Sequence, residues 1–178
     1  IRRMGGIDIM LLGIGRLGNI AMNASGSTAA SRTRMVLLDE VSRREARKMF
    51  GSASQVPPCG ITLGIGTILA AHKVYLVAWG DEKAEVTRAT IEERANEQYT
   101  ASFLQLNPRS RVVLDLSAAA HLTRIRYPWL VTSCDWDDKL IRSAIVWLCG
   151  LTGKPILKLT NQDYNEHGLG ELLAIYGS

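Results

Sequence analysis

The chain has 178 residues, of which 47% are hydrophobic and 21% charged, with a formal net charge of +4. That length buries one substantial core, and the balance excludes a disordered polypeptide. The positive excess is small and scattered, which excludes an argument for nucleic acid, although Arg2, Arg3, Arg32, Arg34, Arg43, Arg44 and Arg47 make the first part of the chain its most basic.

Cys59, Cys134 and Cys149 form no close pair, so neither a disulfide framework nor a zinc site is expected, and a reducing, cytoplasmic compartment is. His72, His121 and His167 are equally dispersed and match no metal spacing. No stretch approaches the roughly 20 apolar residues of a membrane span, and no signal peptide is read. The chain enters a strand-like run soon after Ile1 and stops directly after a helical pattern, so both ends are expected to be cuts through a longer protein.

In chain order, "IDIMLLGIG" (7–15) is a continuous apolar run closed by glycines, the pattern of a strand covered on both faces. "RMVLLD" (34–39) and "GITLGIG" (60–66) predict shorter strands of the same kind. Between them, "FGSASQVPPCG" (50–60) reads as a linker, with Pro57 and Pro58 forcing an extended turn. "KVYLVAWG" (73–80) predicts the strongest strand. "DEKAEVTRATIEERANEQ" follows with acids in its first turn and predicts a helix over 81–98. "SRVVLDL" (110–116) returns to strand, and "SAAAHLTRI" predicts a short helix capped by Ser117. From Asp135, Leu140, Ala144 and Leu148 share a stripe with Ile141 and Ile145 beside it, and Gly150 is the expected stop. "NEHGLGELLAIYG" (165–177) predicts a last amphipathic helix interrupted by glycines.

Strands alternating with helices predict a Rossmann-like parallel α/β sheet with helices on both faces, incomplete at its N-terminus, in a single domain over 1–178. The expected core is Ile9, Leu11, Leu12, Val74, Leu76, Val77, Val112 and Val113, under Ile91, Ile145 and Leu148.

Ligands bind beyond the carboxyl ends of strands in such sheets. Gly13, Gly15 and Gly18 formally match a dinucleotide fingerprint, but no acidic residue closes a second strand at the required distance, Asp39 being only near it. Lys83 opens a helix directly after a buried strand, where free backbone N–H groups attract anions; plain solvent exposure explains a lysine there equally well. Arg32 and Arg34 alternate, so on an extended chain they share a face and could clamp a phosphate or pair with acids of a neighbouring subunit.

Together, "LLGIGRLGNIAMNASGSTAASRTR", "QVPPCGITLGIGTILAAHKVYLVAWGDEKA" and "ASFLQLNP" resemble the glucosamine-6-phosphate deaminase/isomerase family, from about residue 5 to 131. The segment 132–178 resembles the helical extension of a longer bacterial subgroup, and the chain as a whole its C-terminal portion. The resemblance implies conversion of glucosamine 6-phosphate and water to fructose 6-phosphate and ammonia. It further implies a homo-oligomer, a sugar phosphate as partner, and no metal or organic cofactor. The chemistry needs a carboxylate base, a histidine for the ring oxygen, and acids that tune it. On the family's pattern the glycine loop carries an aspartate, a histidine and a glutamate; here those positions fall on Leu17, Asn19 and Ala24. The loop keeps Gly13, Gly15, Gly18 and Asn23. The resemblance places phosphate binding on Lys83 and on Arg47 or Lys48, and a second phosphosugar site on Ser27 and Arg34, with Val36 where a lysine normally follows. The family's upstream phosphate loop and enolising aspartate have no counterpart in this sequence. A non-catalytic sugar-phosphate-binding or regulatory homologue is the alternative reading.

Overall fold

A computed structural model describes residues 1–176, apart from the side chains of Arg2 and Ala53. It forms two compact units, Ile1–His121 and a second beginning at Leu122.

The first unit is α/β. Strands β1 (Ile9–Gly13), β4 (Lys73–Ala78) and β5 (Ser110–Leu114) form a parallel sheet in the order β1-β4-β5, with Ile9 opposite Lys73 and Val77 opposite Val113. Alternation decides which side chains enter the core. Val74, Leu76 and Ala78 are buried with Ile14, Ile20, Ile68 and Val86, and Met10, Leu12 and Leu114 pack against them. The other face stays open: Ile9 is 64% exposed, Leu11 71% and Val113 51%. Those three were expected in the core and are open because one face of this sheet carries no layer among the described residues; Val112, paired with Leu76 on the other face, and Ile91 are exposed as well, so they too lie outside the core.

β2 (Arg34–Leu37) and β3 (Cys59–Thr62) are strands as expected, but not of the parallel sheet. They pair antiparallel with each other in a separate two-stranded sheet. Between them lies α1 (Glu40–Phe50), a helix the sequence reading did not anticipate. Asp39 caps it by accepting from the Ser42 backbone N–H, and Gly51 closes it at φ 82°. None of its residues is buried. The linker-like stretch holds a 3₁₀ turn over Ala53–Gln55, with Val56 buried.

Helix α2 (Ile65–Leu69) buries Ile65 and Ile68, and α3 (Ala84–Glu92) buries Ala84, Val86 and Ala89. α3 is shorter than expected, because Asp81–Lys83 form a 3₁₀ turn and the helix ends before Arg94. The helix expected after β5 is broken into α4 (Leu116–Ala119) and α5 (Thr123–Arg126). Its cap is Asp115, which accepts from the Ala118 backbone N–H at 2.7 Å, rather than Ser117.

The second unit is helical. α6 (Asp138–Thr152) is capped by Asp137 and runs through Gly150 to Gly153, which takes the left-handed conformation that stops it. α7 (Asn161–Glu166) opens with a capping box between Thr160 and Asp163. α8 (Gly170–Tyr176) follows a break at Gly168, and Gly177, the last residue of the expected helix, lies outside the described residues. Leu148 packs here with Trp129, Ala144 and Leu169, not under the sheet where it was expected, and Trp136 and Trp147 border the same cluster. No helix among the described residues is long and apolar enough to cross a membrane.

Candidate active site

The segment after β1 turns back on itself immediately. The Gly15 N–H donates to the Asn19 carbonyl at 2.9 Å, and the Gly18 N–H donates to the Gly15 carbonyl at 3.0 Å. Gly18 sits at φ +72°, and a Cβ there would lie 2.6 Å from Tyr99 Cδ1; a Cβ at Gly15 would run into the Asn19 side chain. Gly18 therefore requires glycine for backbone shape, whereas a side chain at Gly15 would first displace the Asn19 amide. The Gly18 carbonyl accepts from the Ala101 N–H at 2.9 Å, which ties the turn to the 3₁₀ segment Thr100–Leu106.

Asn23 anchors the other end of this loop. It is fully buried, and its amide donates to the carbonyls of Ile20 at 3.1 Å and Leu63 at 2.8 Å. Its Oδ1 accepts from Arg34 Nη1 at 3.0 Å. The same guanidinium donates to Ser27 Oγ at 2.7 Å and to the Arg32 carbonyl at 3.2 Å. Ser27 and Arg34, expected at a second phosphosugar site, are in contact with each other and with the loop. This arrangement holds β2 against the glycine turn.

Leu17, Asn19 and Ala24 line one cavity of about 410 Å³ with Arg16, Asp39 and Tyr99. Leucine and alanine carry no transferable proton, and an amide has no pKa near neutrality. Asn19 Nδ2 donates to the Ala21 carbonyl at 3.1 Å, so part of its polar capacity serves its own loop. Asp39 is the one carboxylate in the lining. Burial alone raises its carboxyl, but hydrogen bonds from the Ser42 hydroxyl at 2.6 Å and backbone N–H at 2.8 Å outweigh that and hold it below its ordinary value. It is consequently a weak base as well as a helix cap. Arg16 reaches Glu45 of α1 at 3.3 Å and Glu82 of the Asp81–Lys83 turn at 2.5 Å.

The expected phosphate contacts are placed as follows. Lys83 is half-buried at the end of the 3₁₀ turn, immediately before α3. Arg47 and Lys48 are exposed in the last turn of α1, and Arg47 lines a separate depression of about 500 Å³ with Arg43, Arg44 and Glu40. Arg16 links the helix carrying Arg47 to the turn carrying Lys83. Gly13 ends β1. No group of His, Cys, Asp and Glu among the described residues could hold a metal ion.

Sequence reading missed Arg16, Asp39 and Tyr99 as cavity residues. For Asp39 a signal existed: an aspartate three residues before a serine, followed by alternating charge and a glycine, is a helix-start pattern. Arg16 lies inside the glycine loop itself, next to Leu17, where no motif singles it out, whereas Tyr99 arrives through tertiary packing and leaves no local trace.

No family model matches the chain. A glucosamine-6-phosphate deaminase-like protein of Bacteroides thetaiotaomicron is 60% identical over the whole chain, which covers 27% of that relative. The glucosamine-6-phosphate deaminase of Hahella chejuensis is 39% identical over 127 residues, 71% of this chain and 49% of the relative. Among solved structures, a monomeric glucosamine-6-phosphate deaminase superposes with a TM-score of 0.65 at 38% identity, over 67% of this chain and 50% of that one. A 6-phosphogluconolactonase from Trypanosoma cruzi gives 0.51 at 27% identity, over 66% and 42%. The chain spans about half the length of the deaminases that it matches. The sequence identity, the α/β fold and the glycine loop agree: this chain is homologous to the glucosamine-6-phosphate deaminase/isomerase family.

Proposed function

We propose that this chain binds a sugar phosphate of the glucosamine 6-phosphate class beside the glycine loop and does not itself move the protons that deamination requires. One observation carries the reading. The three loop positions where the family has proton-moving groups fall on Leu17, Asn19 and Ala24, which line one cavity whose single carboxylate is hydrogen-bonded through both oxygens to Ser42. Isomerisation before loss of ammonia needs a base at C2 and an acid at C1, each worth about 10² to 10⁴ in rate. Lys83, with Arg47 or Lys48, supplies the charge for the phosphoryl group. Lactone hydrolysis, the activity of the Trypanosoma cruzi neighbour, is less well served, because Asn19 stands where that chemistry too needs a histidine.

The test is calorimetric titration of the chain with glucosamine 6-phosphate, alongside assays for ammonia and fructose 6-phosphate. Binding without turnover is expected, with Lys83→Ala weakening it by about tenfold or more. Turnover by the unaltered chain refutes the inactive-loop reading. Absence of binding, or binding indifferent to Lys83→Ala, refutes the recognition reading. Should Leu17→Asp, Asn19→His and Ala24→Glu together bring turnover, the substitutions are what silence the loop.

A further inference from the structure

We infer that the depression on α1 lined by Arg43, Arg44 and Arg47 is an anion site of its own, distinct from the glycine-loop cavity, and that it takes a diphosphate group. Leu38, Glu40 and these three arginines enclose about 500 Å³, a volume in the range of small-molecule sites. Three guanidinium groups face one carboxylate there. The depression and the glycine-loop cavity have no lining residue in common.

Two of the arginines have an ordinary explanation. Arg47 stands in the last turn of α1, where a cation complements the helix carbonyls. Arg44 donates to Glu40 at 3.1 Å, the exposed pair one turn apart that surface helices commonly carry. Arg43 has neither. It falls early in α1, toward the end whose dipole favours anions over cations. No ion pair joins it to an acid among the described residues, and its Nε is shut off from solvent without a hydrogen-bond partner. A buried charged donor left unsatisfied is costly. Arg43 also precedes Arg47 by four residues, a spacing at which like charges weaken a helix, and α1 buries no side chain that offsets this. An anion shared by Arg43 and Arg47 accounts for all three costs together.

The lining selects the class of anion. Each guanidinium presents a planar fork that matches one phosphoryl group, so forks from two or three arginines suit two linked phosphoryl groups better than one. Leu38 is the sole apolar wall, and no aromatic residue lines the depression to stack on a base. Recognition therefore rests on the phosphates.

The test is calorimetric titration with inorganic pyrophosphate at ionic strength fixed by sodium chloride, on the Lys83→Ala variant, which lacks the lysine proposed for the sugar phosphate. Saturable binding is expected, with orthophosphate at least about tenfold weaker. Added to this background, Arg43→Gln should weaken pyrophosphate at least about tenfold, and Arg44→Gln, at an exposed position, at least about threefold. Arg124→Gln, exposed on the second unit, should leave the affinity unchanged. Hydrogen exchange should show the α1 amides slowed by saturating pyrophosphate at least about threefold. A nucleoside diphosphate titrated in parallel separates the sources: equal affinity marks a diphosphate ester, weaker affinity free pyrophosphate. Absence of saturable binding, orthophosphate binding as tightly, or binding indifferent to both Arg43→Gln and Arg44→Gln overturns the inference. Glucosamine 6-phosphate binding by the unaltered chain is read separately, so either reading can fail alone.

Discussion

Arg34→Ala separates a structural role from a ligand-binding one. The guanidinium is the donor to two buried acceptors, Asn23 Oδ1 at 3.0 Å and Ser27 Oγ at 2.7 Å. Asn23 is 0% exposed and Ser27 7%, so water does not readily replace the lost donor. Each buried group left unsatisfied costs about 1–3 kcal/mol, and a loss of about 2–4 kcal/mol follows, allowing for relaxation. At about 4 °C per kcal/mol for a unit of this size, Tm falls by roughly 8–16 °C. Scanning calorimetry in phosphate-free buffer measures it. Asn23→Ala combined with Arg34→Ala should lose less than the sum of the two, because they remove one shared bond. A second phosphosugar site at Ser27 and Arg34 makes the opposite prediction: Arg34→Ala leaves Tm unchanged without ligand and abolishes only the stabilisation that millimolar phosphate gives. That outcome refutes the reasoning.

Gly18→Ala should destabilise the first unit by about 2–3 kcal/mol, from a left-handed backbone and displacement of the Tyr99 ring. It is read as a lower urea midpoint at unchanged slope, and a loss under about 0.5 kcal/mol counts against the turn geometry. In the second unit, the Lys154 ammonium at 2.7 Å and the Thr160 backbone bring the Asp163 carboxyl from 3.8 to about 2. A depressed carboxyl contributes stability that is present above its unfolded value and lost as pH falls through its folded one. Tryptophan fluorescence should therefore report weakening of this unit between about pH 4 and pH 2. Asp163→Asn should flatten that segment, and its persistence there means another group is responsible.

The elements with strong local signals were legible. Continuous apolar runs marked β1, β4 and β5, and the Leu140, Ala144, Leu148 stripe marked α6. What the runs at 34–39 and 60–66 could not reveal is their partner, since an apolar tetrad reads alike in a parallel or an antiparallel pair. Gly150 was mistaken for a terminus because a single glycine is tolerated inside a long, well-packed helix, and Gly153, with its positive φ, is the true stop. α1 escaped because it buries no residue, so its charged sequence shows capping but no core face. Of the site, the glycine loop and its altered positions were visible as linear motifs. The contributions of Asp39 and Tyr99 were not, because each reaches the cavity from a distant part of the chain, and Arg16, although inside the loop, belongs to no motif.

Arg16 has a consequence for ionic strength. Its links to Glu45 and Glu82 join partly exposed side chains, a class of pair that contributes little and weakens as salt shortens the reach of charge. α1 has no buried side chain to compensate, yet it carries Arg47. On the proposed reading of Arg47 as a phosphoryl contact, salt acts twice on an anionic ligand, by screening the ligand itself and by weakening the pairs that tether the helix presenting that contact.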